Sequence, residues 1–332
     1  MNTGKKNNKE GWQQALQNAI RSPKELLKTL ELEPKNTQAY DPKRTEFPLL
    51  VPHSFVKRMR KRDPKDPLLL QVLPTKKEQL SVPGFTRNPL LETSFITNGV
   101  VKKYLSRALL LATEACPVHC RYCFRRFFPY SNNLASTGNW ENALAELGNT
   151  DETREVILSG GDPLSLSNRR LEELITKIEL LKNITTLRVH TRFPVILPNR
   201  VDNGLLKLFS RKKLKIVVVI HSNHAQEIDE SVYDSMQALS STGTHLFNQS
   251  VLLRDVNDNA SQLEALSRKL FESSVIPYYL NILDPVEGSA HFEVDINKAK
   301  QLIKELRQRL PGYLVPRLVR EIPGELSKKI IA

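Results

Sequence analysis

The stretch Ala108-Leu-Leu-Leu-Ala-Thr-Glu-Ala-Cys-Pro-Val-His-Cys-Arg-Tyr-Cys-Phe-Arg-Arg126 runs an apolar segment straight into a loop that holds every cysteine of the chain. Its apolar half reads as a buried strand, because a short continuous apolar run is what a strand covered on both faces presents. The spacing Cys116-x3-Cys120-x2-Cys123 is too tight for a disulfide framework. An odd number of clustered cysteines points instead to a reducing compartment. Three thiolates are one short of the set that usually holds a [4Fe-4S] cluster, so a cluster here would keep one iron open for another ligand. The alternatives are ordinary reduced cysteines, or a zinc site completed by His119. Zinc prefers a closed tetrahedral set, and His119 lies beside Cys120 on the same tight loop.

Outward from this loop the chain alternates. Apolar runs at 108–112, 155–158, 186–190, 214–220, 246–253 and 277–283 read as six buried strands. Amphipathic segments at 138–148, 167–182, 200–210, 226–242, 258–272 and 294–309 read as the helices between and after them. This is the pattern of parallel βα units with helices outside the sheet. Six units are fewer than the eight of a full barrel, so the expectation is an open partial (β/α)6 TIM-like barrel with its site at the C-terminal strand ends. The cysteine loop, directly after the first strand, fits that position. The expected divisions are a helical and irregular N-terminal extension over 1–97, the barrel over 98–311 and a C-terminal tail over 312–332. Within the extension, residues 1–10 are polar and read as frayed, Trp12 to Leu32 carries helical spacing with a start signal at Ser22-Pro23, and 33–97 is rich in Pro and charge.

At 332 residues and 40% hydrophobic content the chain suits one large globular domain with appendages. No apolar run approaches the roughly 20 residues of a membrane span, and the first residues lack a signal-peptide core, so a soluble cytoplasmic protein is expected. The net charge of +13 implies an acidic partner. Its basic residues are scattered rather than interleaved with aromatics, and no nucleic-acid-binding motif accompanies them.

After the second strand comes Ser159-Gly-Gly-Asp-Pro163. Paired glycines permit close backbone approach, either to a ligand or simply in a tight βα turn. Together with the cysteine loop and its Tyr122, this stretch resembles the radical S-adenosylmethionine (SAM) enzymes, in which the open iron chelates SAM. The resemblance implies that Ser159, Gly160, Gly161 and Asp162 lie at the SAM amino group, with Asp162 where many members carry Glu. The stretches Leu109–Cys116, Cys120–Arg126, Ile157–Asp162, Arg192–Pro198, Asn248–Arg254 and Pro277–Leu280 are similar to the lysine 2,3-aminomutase family. The likeness runs from about Trp12 to the C-terminus.

What the resemblance implies is an isomerase that moves the amino group of lysine, with a [4Fe-4S] cluster on Cys116, Cys120 and Cys123, SAM, and pyridoxal 5'-phosphate (PLP). That chemistry needs a lysine to hold PLP. In Gly324-Glu-Leu-Ser-Lys-Lys-Ile330 the match is Lys328, with Lys329 as competitor, because the family's Thr-Pro after the lysine is replaced. Arg125 matches the arginine for the substrate α-carboxylate, a task suited to guanidinium geometry. Asp284 and Glu321 match the carboxylates for the ε-ammonium. Tyr104, Arg107 and Lys103 match the region of the PLP phosphate. His221 and His224 after the fourth strand read as polar lining rather than metal ligands.

Longer members of the family that act on free lysine carry extra cysteines near the C-terminus, which bind zinc at a subunit interface; this chain has none. It resembles the shorter branch that makes (R)-β-lysine from (S)-α-lysine for attachment to translation elongation factor P by a lysyl-transferring ligase. The other readings are an aminomutase for free lysine or another amino acid, and a non-catalytic lysine- or partner-binding relative. A homo-oligomer is compatible with all of them.

Overall fold

The computed structural model describes residues 11–37, 39, 47–135, 140–149, 152–211 and 213–332. The stretch 1–10 and the start of the expected 138–148 helix lie outside the described residues.

Ten strands form one sheet in chain order. They are β1 (Ile96–Thr97), β2 (Val100–Tyr104), β3 (Arg107–Thr113), β4 (Glu155–Gly160), β5 (Thr186–Thr191), β6 (Lys215–Ile220), β7 (His245–Val251), β8 (Ile276–Asn281), β9 (Arg317–Arg320) and β10 (Lys329–Ile330). From β3 to β9 every neighbouring pair is parallel. Antiparallel additions flank this run, β1–β2 before it and β10 after it.

The helices are α1 (Trp12–Gln17), α2 (Pro23–Thr29), α3 (His53–Val56), α4 (Pro67–Leu70), α5 (Glu141–Gly148), α6 (Asn168–Glu179), α7 (Phe193–Ile196), α8 (Asn203–Phe209), α9 (Glu230–Ser241), α10 (Ala260–Glu272) and α11 (Ile296–Arg309). Six βα units are therefore present, running from β3–α5 to β8–α11. Side-chain caps start the main crossover helices, with Ser167, Asp202, Asp229, Asn259 and Asp295 each accepting from a first-turn N–H.

Two features depart from the sequence reading. The expected C-terminal tail supplies β9, a seventh parallel strand beside β8, so residues 312–332 continue the sheet rather than trailing from it. Strands this short carry too few residues for periodicity to separate them from a loop. The hairpin β1–β2 turns at Asn98-Gly99, both at positive φ. That Asn-Gly pair is the strongest short hairpin signal a sequence holds, and it lies inside the segment read as irregular.

The strands alternate inner and outer residues. On β5, Leu187 and Val189 are wholly buried under the helices, while Arg188 and His190 face the half-open lumen. Among the described residues the two sheet edges are not joined by backbone pairing. Side chains bridge the seam instead, as Tyr104 at the end of β2 donates from its hydroxyl to Glu321 just after β9, at 2.7 Å. The sheet thus curls into a partial barrel.

The N-terminal helices complete the core. Ser22 and Pro23 start α2 as expected, and Trp12 packs edge-on against Phe193 at 5.5 Å. Residues 47–78 then run under the cysteine loop.

Candidate active site

Cys116, Cys120 and Cys123 are free and partly exposed on the loop after β3. The preceding arm holds this loop in shape. The Glu78 carboxylate, almost wholly buried, pairs with Arg121 through two hydrogen bonds and with Arg126 at 2.8 Å. The Arg121 N–H donates to Gln71 O, and the His119 N–H donates to Leu50 O. The ring of His119 is held against the arm, with Nδ1 2.7 Å from Pro48 O and the ring stacked on Phe47 at 4.7 Å. That nitrogen is spent on a backbone carbonyl, which weighs against a zinc site completed by His119. Among the described residues no three His, Cys, Asp or Glu side chains converge on the position of a single ion. Three separate sulfurs on one loop suit a multi-iron cluster, in which each of three irons takes one thiolate.

Burial pushes the thiol of Cys116 well up, and that of Cys123 up to about 11. A metal binding there must displace those protons. A second sign of fit is the guanidinium of Arg192. It donates from Nη1 to Cys120 Sγ at 2.6 Å, while its Nε is a buried donor without a partner among the described residues.

The glycine pair has a local reason. Gly160 is at φ +118°, and a Cβ there would lie 2.4 Å from Thr113 O; a Cβ on Gly161 would lie 2.4 Å from Glu114 O and 2.5 Å from Ala115 O. The Gly161 and Asp162 N–H groups donate to Thr113 O and Ala115 O, both at 2.7 Å. The pair clamps the start of the cysteine loop, and these two N–H groups are spent on it rather than left for a ligand. The carboxylate of Asp162 is likewise enclosed. It accepts from the Leu164 N–H, the Thr191 hydroxyl and the Arg192 N–H at 2.6–3.0 Å, joining β4 to β5. Burial pushes its carboxyl up to about 6 against those hydrogen bonds. Three donors meet a carboxylate with about four acceptor positions, so the Asp162 side chain is anchored between β4 and β5 with one acceptor position left over.

Arg125 is buried and fully engaged. Its Nε and Nη2 donate to the two oxygens of Glu92 at 2.7 and 3.0 Å, and Nη1 donates to Ser159 Oγ and Gly160 O at 3.0 and 3.1 Å. Burial alone would push the Glu92 carboxyl up, but Arg125 and Lys103 outweigh it and hold it below the usual range. Glu92 escaped the sequence reading, since a lone Glu in a Pro-rich arm carries no motif.

Lys103 lies between Glu92 at 3.7 Å and Glu321 at 3.6 Å. Glu321 also pairs with Lys328 at 3.1 Å, and Lys328 Nζ donates to Asn281 Oδ1 at 3.0 Å. Lys328 points inward, whereas its competitor Lys329 is exposed on β10. Burial would raise the carboxyl of Glu321, but Lys328, Tyr104 and Lys103 hold it below its ordinary value. Asp284 feels the same neighbours. Burial lifts it to about 7, with Lys328 opposing and Glu321 and Glu92 adding. The guanidinium of Arg107 lies over the Tyr104 ring at 4.2 Å. The site therefore collects Arg125, Glu92, Lys103, Glu321, Lys328 and Asp284 from both ends of the chain into one charged cluster.

Of the two histidines, His221 Nε2 lies 2.9 Å from Tyr122 Oη, and His224 Nδ1 accepts the Gln226 N–H. Both are spent on protein partners, as polar lining requires.

Residues 110–221 match the model of the Radical SAM superfamily. The L-lysine 2,3-aminomutase of Escherichia coli is 45% identical over 96% of this chain and 94% of its own length. The chain belongs to the L-lysine 2,3-aminomutase family. A Buchnera aphidicola relative of the same name is also 45% identical, over 98% of this chain and 96% of its own. The Clostridium subterminale aminomutase is 32% identical over 94% of this chain, but over only 76% of its own length. Aminomutases of this family are isomerases, and membership implies a [4Fe-4S] cluster, SAM and PLP. No helix among the described residues is long and apolar enough to cross a membrane.

Proposed function

We propose that the protein converts (S)-α-lysine to (R)-β-lysine by 2,3-amino migration, with a cluster on Cys116, Cys120 and Cys123, SAM on that cluster and PLP on Lys328. The observation that carries this reading is the convergence of Lys328, Glu321 and Asp284 with Arg125. The protein's own groups already mimic the two ends of lysine, with the Glu92 carboxylate on Arg125 and the Lys328 ammonium on Glu321. A site that neutralises a carboxylate at one end and an ammonium at the other matches lysine and not glutamate, for which Asp284 and Glu321 would be repulsive.

When bound, SAM and PLP supply the hydrogen-abstracting radical and the carrier for the migrating nitrogen. The rest falls to this chain's side chains. Arg125 binds and orients the α-carboxylate, its fork freed as Glu92 turns to Lys103. Asp284 and Glu321 hold the ε-ammonium and so fix which carbon faces the cysteine loop. Arg107, Lys103 and Tyr104 offer the positive and hydroxyl groups that suit a phosphate. The Arg121–Glu78–Arg126 knot keeps the loop in register with the lumen.

We further propose a cytoplasmic role in which the product is passed to a lysyl-transferring ligase for elongation factor P. In favour is the 45% identity with the Escherichia coli relative, against 32% with the Clostridium subterminale one.

The test of the cofactor reading is the visible absorbance of PLP on the protein. It should vanish in Lys328→Ala and persist in Lys329→Ala. Retention in Lys328→Ala would overturn the assignment. For the destination, mass spectrometry of elongation factor P incubated with the ligase should give a modified species only when this enzyme and α-lysine are supplied; modification by α-lysine at the same yield without the enzyme would refute it.

A further inference from the structure

In the stretch Arg192-Phe-Pro-Val-Ile-Leu-Pro198 the arginine is held by four side-chain partners. Arg192 follows β5 and is buried. Its Nη1 donates to Cys120 Sγ at 2.6 Å and to Tyr122 Oη at 3.0 Å; its Nη2 donates to Gln71 Oε1 at 2.8 Å and Glu227 Oε2 at 3.0 Å. Glu227 is wholly buried, and its other oxygen accepts from the Asn223 and His224 N–H groups and from Gln71. Tyr122 Oη is gripped in turn by Asn223 Nδ2 at 2.6 Å. Elements from the arm, β5 and the turn after β6 thus unite to aim one cation at one of three cysteine sulfurs. The Arg125 backbone N–H reaches Cys123, but no cationic side chain among the described residues donates to Cys116 or Cys123.

A buried guanidinium is costly unless paired, and Glu227 supplies the compensating charge. The pair is therefore a fixed dipole whose positive end touches a cluster ligand. Hydrogen bonds to ligand sulfurs are one of the levers that set cluster potentials. One-electron reduction adds negative charge, much of it on the sulfurs, and a cationic donor favours that state.

We propose that Arg192, held by Glu227, is a positioning residue that raises the reduction potential of the cluster through Cys120 and so eases the electron delivery that starts turnover. This rests on the cysteines holding a cluster. Failure of that premise would show as wild-type protein that takes up no iron, which is a different result from failure of the proposal.

The experiment is an anaerobic redox titration of reconstituted wild-type, Arg192→Gln, Arg192→Lys and Glu227→Gln proteins, followed by electron paramagnetic resonance of the reduced cluster. Iron and sulfide per chain are measured alongside. Arg192→Gln should be harder to reduce, with the equilibrium constant for reduction down at least tenfold, about 59 mV for a one-electron couple. Arg192→Lys keeps the charge without the fork and should shift less, in the same direction. Glu227→Gln removes the compensating negative charge while leaving Arg192 and every cysteine in place, and should shift the potential upward, which keeps the test open if the Arg192 variants take up little iron. Equal potentials in all four proteins would overturn the proposal, as would lost iron content with an unshifted potential in the clusters that remain.

Discussion

Replacing Gly161 with alanine tests whether the glycine pair is a clamp on the cysteine loop. The added Cβ would lie 2.4 Å from Glu114 O and 2.5 Å from Ala115 O. Ordinary contact needs about 1 Å more. Both obstacles are backbone, so no side chain can swing aside, and either β4 or the segment leading to Cys116 must move. Overpacking of this kind costs about 1–3 kcal/mol, and weakening the two 2.7 Å hydrogen bonds to Thr113 O and Ala115 O adds up to about 1 kcal/mol each. Against a total stability of roughly 5–15 kcal/mol the chain should still fold. Urea unfolding of the metal-free protein under anaerobic conditions should show a lower midpoint with unchanged slope, and reconstitution should give less iron per chain because Cys116 is displaced. An unchanged midpoint together with full iron content would refute the clamp.

Asp284, lifted to about 7 by burial, must be ionised to hold an ammonium. Lysine affinity should therefore fall as pH drops through about 7, and this pH dependence should disappear in Asp284→Asn; isothermal titration with lysine across that range is the check. Because the raised value means that the folded chain keeps a proton the unfolded chain releases, Asp284 opposes folding increasingly as pH rises from the ordinary carboxyl range to about 7. Asp284→Asn should accordingly gain stability relative to wild type at alkaline pH and not at acid pH. Arg125→Lys loses the bidentate fork and should raise KM for lysine tenfold to a hundredfold, from about 1.5–3 kcal/mol of charged hydrogen bonding; an unchanged KM would place the α-carboxylate elsewhere.

Much of the barrel was legible because buried parallel strands and amphipathic helices leave strong periodic signals. All six expected strands, from β3 to β8, are present within two residues of their expected limits. What escaped was short or held by tertiary contacts. Strand β9 is too brief for periodicity, and Glu92, Glu78 and Glu227 gain their meaning only from the arginines they meet across the fold. The cysteines stood out by their spacing, whereas Lys328 was singled out only through the family resemblance, and its partner Glu321 is met across the fold. Asp162 has a second role that its motif position did not announce, as a tie between β4 and β5.

The product formed from lysine is the most direct test. Anaerobic protein reconstituted with iron and sulfide, and supplied with a reductant, SAM, PLP and (S)-α-lysine, should yield (R)-β-lysine by chiral chromatography, with none from Cys120→Ser or Lys328→Ala. No β-lysine from a protein carrying both cluster and PLP, or undiminished β-lysine from Lys328→Ala, would contradict it.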